Sequence, residues 1–521
     1  MGDLPVVVIG AGPVGLAAAA HLAERGLPFM VVEAGDGPGA SVREWAHIRL
    51  FSPWQYNTDP AARRLLEPTG WVLPDAEVLP TGAGLVSEYL APLAAHPAIA
   101  PHVRYGARVA AISREGVDRV RTAGRAEAPF VVRLADGQEL SARAVIDASG
   151  TWRQPNVLGA NGLPARGEEQ MGEVIATALP DVLGADRDRY VGVHTLVVGA
   201  GHSAANTLLA LAELAETAPA TRITWAVRGA SADRAFGGGD ADALPGRGAL
   251  GSGLRMLIES GRIELRTGFG VRAVRPTADG RVAVDADGQS VTVDRVVAAT
   301  GFRPDHSIAD ELRLDLDPAV GCTRALAPLI DPNLHSCGTV RPHGVDELSH
   351  PEPNYFIVGM KSYGRAPTFL LATGYEQVRS ISAALAGDWS AARDVQLELP
   401  ETGVCSVTAG ARAIAADAAV RLGLPADVPA RLVSATIAHY AVTSDLHAAV
   451  RAAADELEIE ATAADQLAVL VADQLEAMLD TGTADPTVDA AGDGEVVGAA
   501  GGSCGAPAGA ENLSLSASLA R

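Results

Sequence analysis

Short apolar runs closed by glycine turns alternate with longer Ala- and Leu-rich stretches along most of this chain. Short apolar runs bounded by glycine read as buried strands, and the longer stretches with apolar residues at helical spacing read as helices. LPVVVIGAGPVGLAAAAHLAERGLPFMVVEAG is therefore expected to form strand, turn, helix and second strand. The same order returns in HTLVVGAGHSAANTLLALAELAETAPATRITWAVRG. Between them FVVRLADGQELSARAV alternates apolar and polar residues around Asp136-Gly137, a hairpin signal. Two further apolar strands run into small-residue turns, Ala148-Ser149-Gly150 and Ala299-Thr300-Gly301, where the chain can pass close to a bound molecule. A last run, FIVGM, precedes a helix expected within TFLLATGYEQVRSI.

Beyond LPETGVC the pattern changes to Ala-rich helices, PARLVSATIAHY, SDLHAAVRAAADELE and TAADQLAVLVADQLEAMLD. In the last of these Leu467, Leu470, Val471, Leu475 and Met478 recur at helical spacing. This region is expected to form a small bundle, docked on the rest or used for self-association. From about Thr481 the chain is Gly, Ala, Ser and Asp, a composition that cannot bury a core and is expected to be disordered.

The turns carry chemistry. In the first unit Gly10 permits a tight turn, Gly12 lets a pyrophosphate approach the helix start, and Gly15 allows close packing, while Glu33 can hold ribose hydroxyls. In the second, Gly199, Gly201 and Ala204 take the same three places, but the following strand leads to Arg228 instead of an acid. An arginine there pairs with a 2′-phosphate that an acid would repel, so the second nucleotide is expected to be NADPH, with Arg234 and Arg255 as other candidates for that contact. The expected fold class is α/β, with two Rossmann-like dinucleotide-binding domains and a C-terminal α-helical segment. Expected segments are 1–155, 190–300 and 301–395 for the nucleotide-binding part, 405–480 for the helices and 481–521 for the tail.

Charge and composition exclude more than they assign. A formal net charge of -22 over 521 residues leaves no basic stripe for nucleic acid or an anionic membrane. No stretch is apolar for long enough to span a bilayer and the N-terminus lacks a basic leader, so a cytoplasmic location is the default. Cys322, Cys337, Cys405 and Cys504 contain no C-x-x-C pair. Of 41 basic side chains only Lys361 is lysine. Coding bias accounts for the missing lysines but not for the survivor, since Lys is a compact point charge and Arg a broad fork.

Two dinucleotide motifs joined by the ASG turn and closed by ATGFRPD resemble the two-dinucleotide-binding-domain flavoproteins over roughly residues 1 to 395. The resemblance implies FAD in the first fold, with Gly150, Gly301 and Gly359 at its edges, and NADPH in the second. Three departures narrow it: no dithiol of the disulfide-reductase kind, no F-x-G-x-x-x-H of the class B flavin monooxygenases, and Gly359-Met360 where the superfamily has Gly-Asp. The segments REWAHIRLFSPWQYNTD, DPNLHSCGTVRPHGVDELSHPEPNYFIVGMKSYGRAPTFLLATGYEQ and LPETGVCS resemble the flavoprotein monooxygenases of bacterial arsenic-resistance operons. That likeness implies an NADPH-dependent FAD monooxygenase that oxidises a small soft nucleophile with O2 through a flavin C4a-peroxide. A flavin reductase serving a separate acceptor, and a flavin-binding redox sensor engaging a partner through its helical tail, remain open.

Lys361 is then expected at the flavin or substrate pocket, as a charge beside flavin N1, a contact to NADPH phosphate or a contact to an anionic substrate, with Arg365 serving the same pocket. The alternative is a solvated loop lysine. Trp45, Phe51, Trp54 and Tyr56, interleaved with Arg43, His47, Arg49, Asn57 and Asp59, suggest an active-site wall. By the family likeness Asn57 would approach flavin C4a. His335, Cys337, His343, Glu347 and His350 crowd one loop but match no zinc spacing, so no metal is expected.

Overall fold

The computed structural model describes residues 4–237, 242, 244–332, 342–367, 369–397, 414–415, 417–419, 421–422, 424–425, 428–443, 445–457 and 459–481. The described residues fall into two compact units, one holding both dinucleotide folds and one holding the C-terminal helices.

The first fold opens as its apolar pattern dictates, with β1 (Val6–Ile9), the helix Pro13–Glu24 and β2 (Phe29–Val32). Proline at the first helical turn fixes the backbone angle and forgoes a hydrogen bond that no partner could accept. Gly26, at φ 63°, ends the helix in the left-handed conformation and turns the chain into β2. β3 (Val103–Arg104) extends that edge. The hairpin around Asp136-Gly137 joins β5 (Phe130–Leu134) to β6 (Glu139–Ala142), and β4 (Val109–Arg114) completes an antiparallel three-stranded sheet. β7 (Ala144–Asp147) then enters beside β1, with Val6 opposite Ala144 and Ile9 opposite Asp147.

The second fold is built from β8 (Ile175–Thr177), β9 (His194–Val198), the helix His202–Thr217, β10 (Arg222–Ala226), the helix Pro245–Glu259 and β11 (Glu264–Arg266). An antiparallel sheet of β12 (Ala273–Pro276), β13 (Val282–Ala286) and β14 (Gln289–Val293) follows, and β15 (Arg295–Ala298) closes the parallel sheet in the order β11-β10-β9-β15-β8. β8 lies before the expected boundary at 190: it is three residues long, too short for a periodic signal, yet pairs in parallel with β15.

The chain then returns. β16 (Tyr355–Ile357) adds to the outer side of β7, giving a parallel sheet ordered β16-β7-β1-β2-β3, and the helix Leu371–Leu385 packs beside Pro13–Glu24. The core of this lobe holds Leu16, Leu22, Val31, Ile146, Phe356 and Val378.

In the other unit the helices Val428–Thr443, Leu446–Glu456 and Ala461–Thr481 follow the Ala-rich pattern. Asp445 caps the second by accepting from the Ala448 amide. Leu432, Val450, Leu467, Val471 and Leu475 form its core. The expected tail from 482 onward lies outside the described residues, as do Cys337, Cys405, Cys504 and His335.

Candidate functional site

Each glycine of the first cradle has a separate steric reason. Gly10 sits at φ 103° with the Ala148 carbonyl so near that a Cβ would meet it at 2.7 Å. A Cβ on Gly15 would lie 1.9 Å from the Gly10 carbonyl oxygen. Gly12 differs: its φ of -79° suits any residue, and a Cβ there would meet nothing within 4 Å. The protein itself leaves that space open, which suits a pyrophosphate over the helix start. Beside it, half-buried Glu33 accepts the Ala11 amide at one carboxylate oxygen and the Gly35 amide at the other, each at 2.7 Å. Those bonds aim the carboxylate and leave lone pairs for ribose hydroxyls.

The second cradle repeats the design. Gly199, at φ 133°, passes so close to the Ala299 carbonyl that a Cβ would meet it at 2.1 Å, while a Cβ on Gly201 would meet nothing within 4 Å. Ala204 is fully buried in the following helix. β10 ends at Ala226, and Arg228 stands exposed beyond it, one guanidinium nitrogen donating to the Ala160 carbonyl at 3.0 Å.

Between the cradles the ASG and ATG turns are tied to their surroundings. Gly150 and Gly301 both hold positive φ, 70° and 87°. The Asn156 amide donates to the Thr300 carbonyl and its amide oxygen accepts from Arg303, joining the two crossing segments.

Lys361 is 2% exposed, which rules out the solvated loop. Its ammonium donates to Asp147 Oδ2 at 2.7 Å and to Ser149 Oγ at 3.1 Å. The Tyr355 hydroxyl donates to the same carboxylate, and the Ser149 amide and hydroxyl both donate to its other oxygen. Burial alone would push the Asp147 carboxyl up, but the Lys361 ammonium and the two Ser149 hydrogen bonds hold it below the ordinary carboxylate range. The same burial, with the Asp147 charge, pushes the Tyr355 phenol far up, so it stays a donor. Lys361 is therefore a compensated charge whose exposed outlet is Ser149, in the turn pressed against Gly10. Gly359, at φ 69°, lets the returning chain pack on Val14 and donates its amide to Gln377 Oε1 at 2.7 Å.

With both cradles in place the comparisons with known proteins become informative. A family model for pyridine nucleotide-disulphide oxidoreductases matches residues 7–320, more than half of the chain. The chain belongs to that family. It is an FAD-dependent oxidoreductase, and the open space at Gly12 and the aimed Glu33 fit that cofactor. Indole-3-pyruvate monooxygenase YUCCA1 of Oryza sativa subsp. japonica is 30% identical over 201 residues, 38% of this chain and 42% of the relative, so less than half of that relative is spanned. Among solved structures, bacillithiol disulfide reductase Bdr of Bacillus cereus aligns with 74% of this chain and 99% of its own at a TM-score of 0.53 and 19% identity. The FAD-bound cadaverine monooxygenase DfoA of Erwinia amylovora aligns with 76% of this chain and 97% of its own, at a TM-score of 0.51 and 15% identity. These two share the fold.

Other expected residues of this oxidoreductase are placed differently. Asn57 is fully buried, its amide nitrogen donating to the Ser52 and Pro53 carbonyls and its oxygen accepting from the Ser52 hydroxyl. Those bonds spend the amide on its own loop, so Asn57 shapes the wall instead of reaching a cofactor. Trp54 joins the core, and Asp59 pairs with buried His21 at 2.9 Å. The aromatic stretch is thus part core, part wall, and Phe51 is the ring that reaches the second fold. Arg365 is exposed.

Cys322 is buried and burial pushes its thiol up to about 12, so it is no nucleophile at neutral pH. His343 is buried against Gln377, and Glu347 caps the Gly344 amide. Among the described residues no three His, Cys, Asp or Glu groups are placed to hold a metal ion, and no helix is long and apolar enough to cross a membrane. One charged cluster had no sequence signal: Glu352, 1% exposed, accepts from both Arg114 and Arg125, more than two hundred residues earlier in the chain.

Proposed function

We propose that this oxidoreductase takes electrons from NADPH and uses O2 to oxygenate a small soft nucleophile, with trivalent arsenic compounds as the first candidate substrates. The observation that carries the reading is the pairing of a second, open cradle leading to exposed Arg228 with a sequence that has no C-x-x-C. Arg228 suits a 2′-phosphate. Electrons entering from NADPH would then find no internal dithiol of the usual spacing, which leaves oxygen or a separate acceptor. The 30% identity to a rice indole-3-pyruvate monooxygenase over 201 residues supports the oxygenase side.

Bound FAD supplies the redox chemistry, accepting hydride and passing electrons to oxygen. The chain's own residues bind and orient. Glu33 holds the ribose, the space over Gly12 takes the pyrophosphate, and the Lys361–Asp147–Ser149 cluster fixes the turn that borders the cradle. In this reading Lys361 is a positioning residue: its charge is spent on Asp147, and it acts through Ser149. Arg365, exposed four residues on, is available to an anionic substrate.

The test is NADPH consumption and oxygen uptake by the flavin-loaded protein, with and without arsenite or methylarsenite. Substrate-stimulated oxygen uptake with an oxidised arsenic product supports the proposal. NADPH oxidation that requires an added electron acceptor, without oxygen uptake, replaces it with a flavin reductase.

A further inference from the structure

The strand starts of the second lobe hold a polar cluster that neither cradle uses. β9 and β15 lead to the Gly199 cradle and to the Ala299-Thr300-Gly301 turn, and at their other ends Thr195 and Arg295 stand in register on adjacent strands. Neighbours in register project to the same face of a sheet, about 5 Å apart. That face is the one covered by helices, since Val197 and Val297, two residues further along each strand, join the core that contains Tyr190. Tyr190, the last residue of the short helix Arg187–Tyr190, thus packs against the same face.

Each of the three carries an unanswered polar atom. Tyr190 and Thr195 are both 0% exposed, and neither hydroxyl has a hydrogen-bond partner. Arg295 is half-buried; one terminal nitrogen donates to the Asp294 carbonyl at 2.9 Å, while its Nε is buried and unpartnered. Arg295 forms no ion pair among the described residues. The neighbouring acids are engaged elsewhere: Asp186 pairs with Arg189 at 3.6 Å, and Asp294 Oδ2 accepts the His194 amide at 2.8 Å. Burial pushes the Tyr190 phenol up to about 12, with Arg189 and Arg295 opposing and Asp186 assisting, so the hydroxyl keeps its proton and lies within range of the Arg295 charge.

Buried polar groups in folded proteins are paired, and three orphans on one face call for a shared partner. The guanidinium Nε can only donate, and the two hydroxyl protons beside it also need acceptors. A water would bring two protons of its own and leave the guanidinium charge unanswered. An acceptor with a negative charge meets all three donors. We propose that the second lobe binds a small monovalent anion, chloride or a simple carboxylate, between Tyr190, Thr195 and Arg295. The site lies at the far ends of the strands that lead to Gly199 and Gly301, so a dinucleotide does not compete for it.

The experiment titrates chloride into halide-free, FAD-loaded parent, Tyr190→Phe, Thr195→Val and Arg295→Gln proteins, read from the chloride magnetic-resonance line width, and examines crystals grown in bromide for anomalous scattering. The parent should show saturable chloride binding that Arg295→Gln weakens about tenfold or more and each hydroxyl deletion about two- to tenfold. Bromide should scatter within hydrogen-bond distance of both hydroxyls and of Arg295 Nε. Formate that displaces chloride at lower concentration assigns the site to a carboxylate, and formate that fails to compete assigns it to halide; either supports the anion. An ordered water at that place without anomalous signal overturns the proposal, as does an empty site or bromide in the crystal without saturable binding in solution. Should Arg295→Gln fail to fold, the two hydroxyl variants decide, and unchanged chloride binding in both overturns it.

Discussion

Lys361→Met removes the ammonium and keeps an unbranched apolar stem, leaving Asp147 charged and fully buried beside it. At 2.7 Å and an effective dielectric near 20 the pair attracts by about 6 kcal/mol before desolvation. Removing one partner of such a pair typically costs about 3–5 kcal/mol. Tyr355 and Ser149 still donate to the carboxylate, so the lower half of that range is expected. Lys361→Arg keeps the charge but forces a broad fork into a closed space, for which overpacking costs about 1–3 kcal/mol. Pairing Lys361→Met with Asp147→Asn removes the stranded charge, and the double variant should lose at least about 2 kcal/mol less than the sum of the single losses. The assay is urea unfolding of FAD-loaded protein, followed by flavin release and far-ultraviolet circular dichroism. Acid supplies a second axis. Because the folded-state Asp147 carboxyl lies below its unfolded value, its stabilisation is present above the ordinary carboxylate pKa and is lost as pH falls through the lowered value. Additivity of the two variants within about 0.5 kcal/mol, or a Lys361→Met loss below about 1 kcal/mol, would refute the argument.

Three other outcomes are expected. Gly12→Val should fold, since its side chain projects into open space, yet lose bound flavin by absorbance, whereas Gly15→Ala should fail to accumulate as folded protein because its Cβ would overlap the Gly10 carbonyl. Arg228→Gln should weaken NADPH about tenfold or more, the worth of a charge-assisted hydrogen bond, and leave NADH unchanged in steady-state kinetics; an equal loss for both would remove Arg228 from the phosphate site. Cys322 should resist thiol reagents in native protein at pH 8 and react on unfolding, because burial holds the thiol near 12; fast labelling of native Cys322, located by peptide mapping, would contradict that.

Both βαβ units are legible in the sequence because their signals are local: four apolar residues, a glycine turn, a helix and a second run. Gly10, Gly12 and Gly15 carry their roles in their spacing for the same reason. Lys361 draws attention by composition, but its partner Asp147 lies 214 positions away, and no local pattern announces that pair or the arginine pair on Glu352. Asn57 misleads in the opposite sense: a polar residue beside a cofactor loop looks functional, yet Ser52 and Pro53, five and four residues before it, consume its amide. β8 goes unseen because three residues carry no period, and only pairing with β15 makes them a strand.

The late return of β16 to the edge of β7 sets an order on synthesis. The second lobe's sheet has all its strands once residue 298 has emerged, whereas the first sheet waits for residues 355–357. At about 5–20 residues per second this interval lasts several seconds. Through it β7 keeps an unpaired edge and Asp147 has no ammonium to meet. The nascent chain thus holds a finished second lobe inside an unfinished first one, and Lys361 arrives with the strand that closes the sheet, so charge neutralisation and edge capping come in the same step.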